Sequence, residues 1–142
     1  MDADLTFRPE YLKVLLDAAT SAKADLVAGS PYLRSGDLRG VPWTRRLPSL
    51  MMNALYRGLF GMRLTSYTPI FRLYRAAALR RLPLSSEGFE INAEIAARAL
   101  IAGWTVIEAA VPLETRSSGV SKLRRGRELG RHLRLIARLL SP

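Results

Sequence analysis

Short apolar runs alternate with helically spaced leucines along this chain, and that alternation restricts the fold more than any other feature. Ala24-Asp-Leu-Val-Ala-Gly29 is a run of strand length closed by Gly29 and Ser30, apolar enough to be buried on both faces. Trp104-Thr-Val-Ile-Glu-Ala-Ala-Val111 is the clearest strand pattern, and Ile70-Phe-Arg-Leu-Tyr74 alternates apolar and polar. Helical patterns lie between these runs. Pro9 occupies a first helical position ahead of Leu12, Leu15, Leu16 and Ala19. Pro48 opens a second helix with Met51, Met52, Leu55, Tyr56, Leu59 and Phe60, a face expected to be core in preference to the alternative, membrane contact. Ala76 to Leu82 reads as a short helix that Pro83 stops, and Ile91, Ile95, Ala99 and Ala102 mark another that Gly103 ends. A last helix is expected over 122–140. The pattern predicts α/β layering, in a chain of 142 residues whose 49% hydrophobic content is enough for one core.

Charge narrows the partners. The chain carries 22 Lys+Arg against 12 Asp+Glu. No acid occurs between Asp37 and Glu87, where nine arginines fall. A second basic block runs from Arg116 to Arg138, where only Glu128 opposes eight Lys and Arg. Such a chain attracts polyanions: nucleic acid, anionic lipid headgroups or phosphorylated substrates. The absence of cysteine excludes disulfides, thiolate-bound zinc and thiol catalysis, and one histidine excludes His-rich metal sites. No apolar run approaches the roughly 18–20 residues needed to span a bilayer.

Asp2-Ala3-Asp4 places two carboxylates at i and i+2, on the same side of a strand. Both can meet one hard cation, Mg²⁺ or Mn²⁺, which would neutralise a departing nucleoside diphosphate. The alternative is an ordinary acidic chain start. Met1 to Leu5 reads as a strand with its acidic motif already in place. The pattern therefore predicts the second part of a larger fold.

Further blocks follow in order: Asp2-Ala-Asp-Leu-Thr-Phe-Arg-Pro-Glu-Tyr-Leu12, Ala24 to Ser30, Trp43-Thr-Arg-Arg-Leu-Pro-Ser49 with Asn53, and Thr68-Pro-Ile-Phe-Arg-Leu-Tyr-Arg75. Glu87-Gly-Phe-Glu-Ile-Asn-Ala-Glu94 and Arg116-Ser-Ser-Gly-Val-Ser-Lys122 complete the series. Together they resemble family 2 glycosyltransferases of the dolichol-phosphate (polyprenol-phosphate) mannosyltransferase type. The resemblance implies the C-terminal portion of a GT-A fold over 1–121, followed by a basic amphipathic helix over 122–142. It implies transfer of a sugar from a nucleotide sugar to a polyprenyl phosphate. Asp2 and Asp4 are then the metal and nucleotide-diphosphate residues, with Asp4 and Arg116 catalytic. Arg116 and Lys122 contact donor phosphates, while Arg45 or Arg46, with Ser49, contacts the acceptor phosphate. Arginine forks suit phosphate oxygens. Pro31 stands where the family often has Arg, and Ser66-Tyr-Thr-Pro-Ile-Phe-Arg72 lacks the Asp and Gly of the common stretch. The family's nucleotide-binding first strands precede the D-x-D, so a separate N-terminal half is an expected partner.

Other residues admit two readings. Glu94 is either an active-site acid or the i,i+4 partner of Arg98. Glu90 favours a helix N-terminus, His132 is expected to be solvated, and Trp43 to pack rather than to face a substrate or lipid. In the last helix Arg124, Arg127, Arg131, Arg134 and Arg138 fall opposite Leu129, Leu133, Ile136 and Leu140. That pattern suits peripheral binding to an anionic membrane, at the cytoplasmic leaflet, or a helix packed with a solvated face. The competing readings are a non-catalytic remnant or subunit and a basic nucleic-acid-binding module. Against the last, the sequence has no zinc ligands and no aromatic RNA-binding strand, so no nucleic acid is expected.

Overall fold

Pro9 and Glu10 lead into α1 (Tyr11–Ala22), which ends where Lys23 turns to φ +48° and its N–H meets the carbonyls of Ala19 and Thr20. The computed structural model describes residues 7–34, 43–61, 63–113 and 125–141. Of the expected α1 face only Leu15 is fully buried, while Leu12 and Leu16 are exposed. The chain then enters β1 (Leu26–Ser30), all five residues of which are buried. This strand is the centre of a three-stranded mixed sheet. It pairs antiparallel with β2 (Arg72–Tyr74) and parallel with β3 (Val106–Ala110), the latter in register from Leu26↔Val106 to Ser30↔Ala110.

Strand alternation splits the core between the two faces of the sheet. Val27, Phe71, Ala109 and Val111 pack with Leu15 of α1, and Phe7 stacks on Phe71 at 5.1 Å. Leu26 and Ala28 pack with Ile95 of α4 (Ile91–Ile101). The sheet is thus covered by helices on both faces, the α/β arrangement expected. Behind α4, Ala93 and Ala96 join Tyr56 of α2 (Trp43–Phe60) and Leu135 and Ile136 of α5 (Arg125–Leu140) in a further cluster. The remaining helix, α3 (Ala76–Leu79), is one turn. Gly103 ends the α4 turn at φ +73°, as expected, with Trp104 N–H on the Ala99 carbonyl.

Three expectations are corrected. Pro48 lies inside α2, which begins at Trp43. A proline in the second turn removes one intrahelical bond, that to Thr44, and Thr44 is exposed to water. The α2 apolar face divides: Tyr56 is buried and Met52 and Phe60 are partly buried, but Met51 is 64% exposed, with Leu55, Leu59 and Trp43 also exposed. His132 is buried, its Nδ1 2.9 Å from the Tyr56 hydroxyl. It is buried because α5 packs through His132, Leu135 and Ile136, leaving Leu129, Leu133 and Leu140 outside. Among the described residues no helix is long and apolar enough to cross a membrane.

Candidate functional site

At the carboxyl end of β1 the chain gathers hydroxyls, the position where open α/β sheets hold ligands. Ser30 Oγ lies 2.6 Å from Thr65 Oγ1 and accepts the Tyr32 N–H at 3.2 Å. From α2, Ser49 Oγ accepts the Tyr32 hydroxyl at 3.2 Å and lies 3.4 Å from Thr68 Oγ1. Asn53, one turn on, donates to Ser49 at 3.4 Å and to Ser66 Oγ at 3.1 Å.

The segment 65–68 is fixed from three sides. Glu108, in the middle of β3, accepts from Thr65 N at 2.7 Å, Thr65 Oγ1 at 3.0 Å and Ser66 N at 3.1 Å. Asn53 Oδ1 accepts the Tyr67 N–H at 2.8 Å. Arg72 donates to the carbonyls of Tyr67 and Asn92. Burial lowers the Arg72 pKa, opposed by Tyr74, Glu108 and Tyr67. Burial, reinforced by Glu108, pushes the Tyr67 phenol up to about 12, so it remains a proton donor, to the Gly61 carbonyl. The result is a rigid set of neutral hydroxyl and amide groups around Ser49. It adjoins the first turn of α2, which contains no acid. Hydroxyl donors beside arginine in an acid-free stretch favour an anionic oxygen ligand.

The expected site residues fall into three groups. Ser49 stands in the cluster, and Arg46, three residues earlier, is on the adjoining turn of the same helix. Arg45 belongs to that turn as well, its side chain lying outside the described residues. Asp2, Asp4, Arg116 and Lys122 also lie outside them.

Glu94 is elsewhere. It is fully buried and accepts from Ser85 N and Oγ, Ser86 N at 2.8 Å and Arg98 Nε at 2.8 Å. These contacts include the i,i+4 ion pair with Arg98, the second of its two readings. Glu90, beside the α4 start, accepts from Gly88 N rather than from a helical N–H. Among the described residues no three His, Cys, Asp or Glu side chains cluster to hold a metal. Sequence reasoning missed Tyr32, Thr65 and Glu108. A lone carboxylate in the clearest strand pattern was the available signal for Glu108, because a charge there needs partners.

Comparison with known proteins gives these residues a context. Residues 1–83 match the family model for glycosyl transferase family 2. The polyprenol monophosphomannose synthase of Mycolicibacterium smegmatis is 37% identical over 126 residues, 87% of this chain and 47% of that protein. The undecaprenyl-phosphate mannosyltransferase of Micrococcus luteus is 33% identical over 129 residues, 89% of this chain and 52% of that protein. The chain thus spans about half the length of these curated relatives. With more than half of its residues matched by that family model, the chain belongs to glycosyl transferase family 2.

Proposed function

We propose that this chain carries the acceptor-binding part of a glycosyltransferase that moves a sugar, a mannosyl group by the names of its relatives, from a nucleotide sugar to a polyprenyl phosphate. The observation that carries the reading is the Ser49 cluster at the carboxyl end of β1, beside the arginines of the first α2 turn. Ser49 and Arg46, with Arg45, hold the acceptor phosphate. A phosphate monoester has a second pKa near 6, so its oxygen is largely anionic at pH 7 and needs no strong base. His132, buried against Tyr56, is not required for that step. The oxygen attacks the anomeric carbon, forming the new C–O bond as the bond to the nucleoside diphosphate breaks. The catalytic contribution is alignment and positive charge.

In the same proposal the domain is part of a GT-A fold. Asp2 and Asp4 would hold Mg²⁺ or Mn²⁺, which when bound supplies charge neutralisation at the leaving diphosphate. Arg116 and Lys122 contact the donor phosphates, and the nucleotide base is bound by sequence additional to these 142 residues. The enzyme works at the inner face of an anionic membrane. Calorimetric titration with a short, water-soluble prenyl phosphate tests the acceptor assignment. Ser49→Ala and Arg46→Ala should each weaken binding roughly tenfold, about 1.4 kcal/mol. Unchanged affinity in both would remove the assignment. Titration with GDP- and UDP-sugars, with and without Mn²⁺ and with the Asp2→Ala/Asp4→Ala control, tests the donor side.

A further inference from the structure

Helix α2 turns its polar side inward and its apolar side outward. Inside lie Asn53, 2% exposed, and Ser49, in the hydroxyl cluster. Outside, at four-residue intervals, run Trp43, Leu47, Met51, Leu55 and Leu59, exposed by 62, 43, 64, 38 and 41%. At 1.5 Å per residue this ridge is about 24 Å long. Ala54 and Gly58 fill the same side, and a Cβ built on Gly58 would meet nothing within 4 Å. No charged residue interrupts it, since the charged residues of α2 are Arg45, Arg46 and Arg57. By helical angle Arg46 stands about 60° from Trp43, at the start of the ridge, while Arg57 falls on the inner side with Asn53. Arg63, exposed, follows the helix, and Leu33 and Arg34 are exposed in the segment that Tyr32 ties to Ser49.

We propose that this ridge is a docking surface for an anionic lipid bilayer. An amphipathic helix lies in the headgroup region with its apolar side toward the acyl chains and its basic residues at the lipid phosphates. The charge pattern selects the bilayer over a second copy of the chain. A symmetric contact between two ridges would bring together two copies of a chain of formal net charge +10 with no acid between Asp37 and Glu87. The basic helix α5 is less suited: Arg131 is paired with Glu128, and Arg138 donates to Ser85 and Ser86. The inference rests on the proposed function, because a polyprenyl phosphate resides in the bilayer. With α2 seated there, Ser49 on its inner side receives a phosphate that never leaves the interface.

Co-sedimentation of the chain with phosphatidylglycerol–phosphatidylcholine vesicles free of polyprenyl phosphate tests it. Met51→Glu/Leu55→Glu should lower the partition coefficient at least tenfold, with an unchanged circular dichroism spectrum. Independently of any folding defect, wild-type tryptophan emission should shift to the blue on vesicles and be quenched by brominated acyl chains. Trp43→Phe should remove that response. Sedimentation of the double variant equal to wild type overturns the proposal, as does bound protein whose Trp43 emission is unchanged. A lipid-free dimer that the double variant dissolves, with no vesicle binding, assigns the ridge to a second copy and also overturns it. A chain that binds the soluble prenyl phosphate but no vesicles keeps the proposed function and loses this docking surface. Binding to vesicles through α2 without affinity for the phosphate means the reverse.

Discussion

Replacing Glu94 separates a structural from a catalytic acid, and its cost can be worked from the structure. The carboxylate is fully buried. Burial opposes its charge, but hydrogen bonds from Ser86, Arg98 and Ser85 outweigh burial and bring the pKa down from its ordinary 4.5 to about 2. At about 1.4 kcal/mol for each factor of ten, this preference for the folded state corresponds to about 3 kcal/mol at neutral pH. Truncation to alanine also leaves the Ser86 N–H, buried and 2.8 Å from Glu94 Oε2, without its acceptor. Breaking a buried pair from one side costs about 3–5 kcal/mol, in agreement. Urea denaturation at pH 7 should show Glu94→Ala destabilised by that amount.

The pH dependence has a definite sign. Because the folded pKa is depressed, the stabilisation is fully present above the unfolded value and is lost as pH falls from 4.5 through about 2. The gap between wild type and Glu94→Ala should therefore be flat above pH 5 and narrow toward pH 3. A loss below about 1 kcal/mol, well under the range for a broken buried pair, or a gap that ignores pH, would refute the reasoning. An active-site acid predicts the opposite pattern, lost turnover with stability intact.

Gly29→Ala puts a Cβ 2.7 Å from Val111 Cγ2 and 2.8 Å from Phe71 Cδ1, in a packed core. A loss of about 1–3 kcal/mol is expected from overpacking, and an unchanged melting temperature would contradict it. Tyr56→Phe leaves the buried Nδ1 of His132 without its partner, at a cost of about 1–2 kcal/mol. Burial holds the His132 pKa below its ordinary 6.5, with Glu90 and Glu128 opposing. The fold should therefore lose stability as pH drops below the ordinary histidine range, and melting of His132→Asn should lose that part of the slope. Glu108→Gln keeps one carbonyl oxygen for three donors. Faster hydrogen exchange at the Thr65 and Ser66 amides is expected, with about 1–2 kcal/mol lost; protection equal to wild type would show that Glu108 does not fix this segment.

The sheet was legible in the sequence because strands buried on both faces need continuous apolar runs, as at Leu26–Ser30. Strand order was not, since the antiparallel neighbour of β1 is the three-residue β2, whose Arg72 is buried by carbonyls rather than by apolar pattern. Ser49 came from resemblance, and its surroundings came only from the fold. Tyr32 and Thr68 are 17 and 19 residues from Ser49 in sequence, and nothing local shows that they meet it; Asn53 alone, at i+4 on the same helix, is within local reach. Periodicity misplaced His132 and Met51 for a common reason. It finds an apolar stripe but assumes that the stripe faces inward. On α5 the buried side includes His132, satisfied by Tyr56, and leaves three leucines outside.

That inversion is sharpest on α2, and it separates what the fold needs from what the surface does. Ser49 and Asn53 can face inward because the hydroxyl cluster and the Tyr67 amide satisfy them. Among the described residues the outer ridge has no counterpart: Met51 is 64% exposed and Leu55 38%. If the ridge contributes to folding, charges placed there should destabilise. If it serves an external apolar surface, Met51→Glu/Leu55→Glu should leave urea stability within about 0.5 kcal/mol of wild type, as for other exposed positions. The same variant would then lose vesicle binding with its fold intact. A drop of several kcal/mol would instead mean that α2 packs its leucines within the chain, and the polar cluster around Ser49 would need a different explanation.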